Sequence, residues 1–176
     1  FGTLAIHAGQ EPEPQFGSVM FPIYQTSTFA QESPGKHKGY DYTRAGNPTR
    51  TAYETCVAAL EGAKHGMAFS SGLAAMDAVL HLLNSGDHVL CCDDVYGGTY
   101  RLFTKVFAKS GIEFDFVDMI DLKKTASALR KNTKLVWIET PTNPLLKIID
   151  IAAVAKLAKK QGAWVAVDNT FMSPYF

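Results

Sequence analysis

The sequence predicts an α/β fold, a mainly parallel sheet with helices on both faces, preceded by an extended N-terminal arm. Two observations predict it. From residue 47 onward, short apolar runs of strand character alternate with helical patterns, and strands separated by helices imply right-handed crossovers and parallel pairing. Before residue 47 there is no clear periodicity, only Pro12, Pro14, Pro22, Pro34 and scattered glycines, which reads as an arm rather than a packed unit.

The elements follow in order. Asn47 is placed to cap a helix whose first residue is Pro48, with Ala52, Cys56, Ala59 and Leu60 as its apolar stripe up to Gly62. Residues 65–69 (HGMAF) suggest a short strand, 72–84 a helix ending before Gly86, and 88–93 (HVLCCD) a strand. A helix is expected over 99–110, a strand over 113–117 (EFDFV) and a helix near 121–131. The run 134–140 (KLVWIET) is a strongly apolar strand, 150–161 a helix stopped by Gly162, and 164–168 (WVAVD) a last strand. No internal repeat or low-complexity tract interrupts this order.

Composition sets outer limits. With 176 residues, 47% apolar and 19% charged, the chain suffices for a domain with its own core. Lys plus Arg and Asp plus Glu are both 17, so no charge footprint for nucleic acid or an anionic membrane is present, and no apolar run is long enough to span a bilayer. Adjacent Cys91 and Cys92 should face opposite sides of one strand, and Cys56 stands alone on a helix, so the three thiols suggest a reducing, cytoplasmic setting rather than disulfides or zinc. The sequon-like Asn47-Pro48-Thr49 is blocked by its proline. Histidines 7, 37, 65, 81 and 88 show no metal-ligand spacing. Phe1 in place of a Met, and a finish at Phe176 just after a strand and a turn, read as a piece of a longer protein.

In parallel sheets ligands bind beyond the carboxyl ends of the strands, so the turns there are where chemistry is sought. Ser70-Ser71-Gly72-Leu73 joins a strand to a helix: Gly72 permits close approach, and the new helix frees N–H groups suited to phosphate. A plain turn of small residues would read the same way. The segment matches neither the dinucleotide nor the nucleoside-triphosphate glycine motif. Asp94-Val95-Tyr96-Gly97-Gly98-Thr99 exposes a tyrosine able to stack on a flat ligand, or simply a surface ring. Glu139-Thr140-Pro141-Thr142-Asn143-Pro144 is a proline-stiffened loop in which Asn143 offers both donor and acceptor. Asp168 follows Trp164-Val165-Ala166-Val167, a run expected to be buried, so its carboxylate invites a cationic partner or caps a helix. In the arm, Tyr42 and Arg44 are able to hold a phosphate, or are a packed ring and a solvated charge.

Taken together, Ala5-Ile6-His7-Ala8-Gly9, YDYTRAGNPTR (40–50), SSGLAA (70–75), DDVYGGTYR (93–101), ETPTNP (139–144) and VDNTFMSPYF (167–176) resemble the Cys/Met-metabolism family of pyridoxal-phosphate enzymes, over nearly the whole chain. The resemblance implies a fold-type I large domain: residues 1–46 as the arm, 47–176 as the first part of the cofactor-binding domain, and the C-terminal domain absent along with its substrate-carboxylate arginine. It implies pyridoxal 5'-phosphate as cofactor. Ser71, Gly72 and Leu73 then resemble the phosphate cradle, and Tyr42 and Arg44 the pair that reaches the phosphate of a neighbouring subunit. Tyr96 resembles the stacked ring, which also moves protons. Asp168 resembles the partner of the pyridine nitrogen, with Thr170 nearby and Asn143 close to the ring oxygen. Asp41 and Arg101 resemble substrate-side residues. The lysine that anchors the cofactor in this family, in a Ser-x-Thr-Lys motif, has no counterpart here and is expected beyond Phe176. The implied partners are a small amino-acid substrate and further copies of the chain, as a dimer of dimers with a shared active site.

The implied activity is carbon–sulfur bond cleavage, γ-elimination of cystathionine to cysteine, 2-oxobutanoate and ammonia in trans-sulfuration. Cystathionine γ-synthase, then β-lyase or methionine γ-lyase chemistry, are the alternatives within the family. Gly98 stands where methionine γ-lyases typically carry a cysteine, and Asp41 resembles the position that meets the distal ammonium of cystathionine. A non-catalytic binding or assembly fragment of the same fold is the alternative from another class.

Overall fold

The structure is a computed structural model that describes all of residues 1–176. It divides into two compact units, one of residues 1–68 with Tyr175 and one of residues 69–174 with Phe176.

In the first unit, where the sequence predicts no element before residue 47, the structure has a short helix α1 (Gly2–His7) and a two-stranded antiparallel ribbon, β1 (Gln31–Ser33) with β2 (Lys36–His37). Helix α2 (Pro48–Leu60) starts as its sequence requires: the Asn47 side chain accepts the Thr49 N–H at 2.9 Å, and Pro48 fills the first helical position. Gly9 allows α1 to lie against α2. Its φ is +71°, and a Cβ there would stand 2.6 Å from the Ala52 carbonyl oxygen. Residues 65–69 form no strand. Met67 and Phe69, whose apolar character suggested one, are exposed, because no partner strand runs beside them.

The second unit holds helix α3 (Gly72–Leu80), strand β3 (His88–Cys92), helix α4 (Gly97–Arg101), strand β4 (Glu113–Val117), helix α5 (Leu122–Ala128), strand β5 (Thr133–Glu139), helix α6 (Ile151–Lys160) and strand β6 (Trp164–Asp168). The four strands pair in parallel in the order β4-β3-β5-β6. Alternation along β3 and β5 sorts the apolar side chains into two cores. Val89, Cys91, Leu135 and Trp137 meet Met76 and Leu80 of α3 with Phe103 and Phe107 on one face. Leu90, Cys92, Val136 and Ile138 meet Val154 and Ala158 of α6 with Met119 and Ile149 on the other. Each fully buried Leu, Val or Ile contributes about 1.5–3 kcal/mol, so the two cores hold the frame on which the strand-end loops sit. The expected parallel sheet with helices on both faces is what forms.

Two elements differ from expectation. The helix expected over 99–110 begins two residues earlier and passes into a π-helical turn (Leu102–Val106) and a 3-10 turn (Phe107–Ser110), closed by Gly111 at φ 81°. The wider turn lets both Phe103 and Phe107 reach the core, where Phe103 stands edge-on to Trp137 at 5.5 Å between ring centroids. Strand β6 is half-buried rather than buried, since it is the outer strand of the sheet; Trp164 and Val167 are exposed. No helix is long and apolar enough to cross a membrane.

Candidate functional site

The strand order creates the site. From β3 the chain leaves toward β4, and from β5 it leaves toward β6, on the opposite side. The loops after β3 and β5 therefore diverge, and a crevice opens beyond the carboxyl ends of two neighbouring strands. A cavity of about 340 Å³ lies there. Its wall includes Ser71, Gly72, Leu73, Tyr96, Asn143, Asp168 and Thr170, seven of the eleven residues singled out from the sequence.

Each is placed by local chemistry. Ser71 caps α3, its Oγ accepting the Ala74 N–H at 3.1 Å. The N–H groups of Gly72 and Leu73 have no protein partner, and a Cβ on Gly72 would meet nothing within 4 Å, so this end of α3 faces open space. Orphan first-turn amides with the positive end of the helix dipole are suited to an anion. Tyr96 precedes α4, and its hydroxyl is unpaired. Its ring lies over Gly98, where a Cβ would come within 2.2 Å of Tyr96 Cε1. The Asn143 side-chain amide is likewise without a protein partner, and both prolyl bonds of its loop, Thr140–Pro141 and Asn143–Pro144, are cis.

Asp168 ends β6 half-buried, not buried as its sequence context predicts, because β6 has a neighbour on one side only. Asp168 Oδ1 accepts the Thr170 N–H at 3.0 Å and the Thr170 hydroxyl at 2.5 Å, which leaves Oδ2 free toward the cavity. One end of the crevice thus offers N–H donors, another a carboxylate oxygen, with an aromatic face between strand ends. That set suits a flat, phosphate-bearing molecule with a basic ring nitrogen.

Glu139 also lines the cavity and was not singled out. It is only 4% exposed, and its carboxylate accepts the Tyr96 N–H at 2.9 and 3.1 Å and the Asn143 N–H at 2.9 Å. Burial pushes its pKa up, and the charges of Asp168 and Asp94 push the same way, while the two N–H donors oppose them. The signal was present in the sequence. An ionisable residue closing a strongly apolar strand needs buried partners, the same argument that drew attention to Asp168.

Arg101 is exposed at the end of α4 and is not part of the cavity wall. Asp41, Tyr42 and Arg44 belong to the first unit. There Tyr42 bridges Thr28, Asp41 Oδ1 accepts the Tyr42 N–H at 2.7 Å, and the Arg44 guanidinium stands 5.0 Å from the Tyr42 ring centre. Tyr42 and Arg44 line a shallow hollow of that unit together with residues 24–27.

Residues 2–176 match the family described as Cys/Met metabolism PLP-dependent enzyme. A probable cystathionine gamma-synthase of Herpetosiphon aurantiacus is 57% identical over 175 residues, which cover 99% of this chain and 55% of that protein. A cystathionine gamma-lyase of Dictyostelium discoideum is 54% identical over 99% of this chain and 46% of its own length. The crystal structure of metB from Corynebacterium glutamicum superposes with a TM-score of 0.95 at 54% identity, covering 98% of this chain and 46% of that one. The chain spans about half the length of the curated relatives it matches.

Proposed function

We propose that this chain, which belongs to the Cys/Met metabolism family of PLP-dependent enzymes, is the cofactor-cradling part of a carbon–sulfur lyase that cleaves cystathionine by γ-elimination. The observation that carries the reading is the cavity beyond β3, β5 and β6, whose free valences match pyridoxal phosphate group by group. When bound, the cofactor supplies an electron sink for the charge left at the substrate Cα.

The residues divide the remaining work. The Gly72 and Leu73 N–H groups, with the Ser71 hydroxyl beside them, bind the phosphate and tether the ring against loss. Asp168 Oδ2 holds a proton on the pyridine nitrogen, and Thr170 keeps that carboxylate turned inward through Oδ1. The Tyr96 ring covers one face of the cofactor, and its unpaired hydroxyl is free to move a proton near the Cα and the leaving group. Asn143 donates its side-chain amide to the ring oxygen. Tyr42 and Arg44 reach the phosphate of a neighbouring copy, which makes the working form a homo-oligomer, a dimer of dimers, located in the cytoplasm. Asp41 attracts the distal ammonium of cystathionine, and Arg101 serves the substrate end of the pocket. The anchoring lysine and the substrate-carboxylate arginine lie in the rest of the protein.

The Herpetosiphon relative, named a probable cystathionine gamma-synthase, favours a second reading, γ-replacement of an activated homoserine by the thiol of cysteine. Full-length protein with pyridoxal phosphate separates the two. Release of 2-oxobutanoate and cysteine from cystathionine, faster than formation of cystathionine from the activated homoserine and cysteine, is the expected result. The reverse ranking selects the synthase, and absence of both reactions overturns the proposal.

A further inference from the structure

Glu139 is the most buried charge on the cavity wall, and it ends β5 beside the loop that follows β3. Strands β3 and β5 are paired as far as Cys91 and Trp137, but no main-chain hydrogen bond joins the loop after β3 to the loop after β5. Three carboxylates do this instead, and Asp93, at the surface, accepts the Lys147 ammonium at 2.9 Å. Asp94 accepts the Thr142 hydroxyl and, at 2.9 Å, the Leu145 N–H, which ties the outer parts of the loops. Glu139 ties the inner parts, and it does so through the N–H groups of the two residues whose side chains face the cavity from either loop, Tyr96 and Asn143. The neighbouring strand end repeats the theme, because Glu139 stands in register with Asp168.

A carboxylate suits this task better than a neutral side chain. Its two oxygens accept three N–H contacts without needing a donor in return, and charge-assisted bonds hold their geometry more firmly than neutral ones. The loops have opposite directions of departure, so a fixed point between them sets the distance from the Tyr96 ring to the Asn143 amide. Burial of the carboxylate keeps water from competing for those N–H groups.

We infer that Glu139 is a positioning residue which, through the backbone N–H groups of Tyr96 and Asn143, fixes the width of the slot and the tilt of the flat ring held in it. The inference rests on the cofactor reading given above and concerns a residue that itself need not touch the cofactor.

The test is E139Q in the full-length protein. Glutamine keeps the volume but presents one oxygen and one NH2 group. Whichever way the amide is turned, an NH2 confronts an N–H of Tyr96 or abandons the Asn143 contact. Two readouts report the ring's setting: the visible circular dichroism of the bound cofactor, and the Kd of pyridoxal phosphate titrated into apoprotein. The circular dichroism per bound cofactor should fall by half or more, and Kd should rise about tenfold, the loss of roughly one charge-assisted hydrogen bond. Inorganic phosphate, which competes at Gly72 and Leu73, should bind within about twofold of wild type, since α3 is untouched. In a Tyr96→Leu background E139Q should add less than about threefold, because the ring it positions is already gone.

Unchanged dichroism and Kd overturn the inference, and so does an equal fold-change in both backgrounds. A parallel loss of phosphate affinity, or an E139Q chain that does not fold, overturns it too, since the carboxylate then supports the core rather than the slot. Wild-type full-length protein that takes up no pyridoxal phosphate sinks the cofactor reading and this inference with it. Normal wild-type uptake with an unaltered E139Q spectrum sinks this inference alone.

Discussion

Replacing Asp168 with asparagine in the full-length protein tests the electronic role of the cavity floor, and the structure sets how large the effect should be. Asp168 Oδ1 is already engaged by the Thr170 N–H and hydroxyl, so in the variant the amide oxygen keeps that pair. The NH2 group then takes the place of Oδ2, and the ring nitrogen meets a donor where it met a charged acceptor. A fully buried ion pair broken in this way would cost about 3–5 kcal/mol. Counted instead as the loss of one charge-assisted hydrogen bond, the cost is about 1.5–3 kcal/mol. Placed wholly on the transition state, that slows kcat by about 10- to 150-fold. The assay is steady-state release of 2-oxobutanoate from cystathionine at saturating pyridoxal phosphate, with thermal unfolding measured alongside. Unfolding should stay near wild type because Thr170 keeps its partner. Wild-type turnover refutes the assignment, and so does a loss of turnover matched by a loss of folded protein.

Two further perturbations probe the frame around the site. Gly98→Ala should push the Tyr96 ring out of its present position, since the added Cβ falls 2.2 Å from Tyr96 Cε1; a crystal structure of the variant, or weakened cofactor binding with unchanged phosphate binding, checks it. His88 gives a pH signature. It is fully buried, its Nδ1 lies 2.8 Å from Thr133 Oγ1 and its Nε2 faces Asp115. Burial lowers its pKa below the ordinary 6.5 and the nearby Arg130 charge adds to this, against Asp115 and Glu113, which raise it. A depressed folded pKa means the unfolded chain binds the proton first, so stability is full above about pH 6.5 and falls as the pH drops toward the folded pKa, by at most about 1.4 kcal/mol per unit. Urea midpoints at pH 7.5 and 5.5 should differ less in His88→Gln than in wild type; equal differences would remove His88 from the account.

Much of this was legible because it depends on neighbours in sequence. The Asn47–Pro48 helix start needs only its own side chain and the next two residues, and it forms as read. Cys91 and Cys92 fall into separate cores because a strand has period two whatever lies around it. The turns at Ser71, Tyr96, Asn143 and Asp168 could be nominated because each follows a strand or opens a helix, and the cavity gathers all four. What was hidden depends on neighbours in space. The π-helical turn at Leu102–Val106 answers to the packing of Phe103 and Phe107 against the sheet, which no local pattern encodes. The exposure of Trp164 follows from β6 being outermost, a matter of strand order. Glu139 was passed over for the same reason, because its meaning lies in the adjacency of β3 and β5.

The distribution of unpaired groups carries the argument one step further. Within the sheet nearly every buried side-chain polar atom is matched, the exceptions being His88 Nε2 and Trp137 Nε1. At the carboxyl rim the pattern inverts. The amides of Gly72 and Leu73, Asp168 Oδ2, the Asn143 side chain and the Tyr96 hydroxyl all face one cavity without protein partners. Meanwhile the groups behind them, Ser71 Oγ, Thr170, Glu139 and Asp94, are committed to holding them in place. A fold that saturates its interior yet leaves donors and acceptors converging on one crevice gains stability from a ligand that supplies the missing partners, because that ligand binds the folded chain and not the unfolded one. A phosphate, an aromatic ring and a basic ring nitrogen in one molecule supply them together.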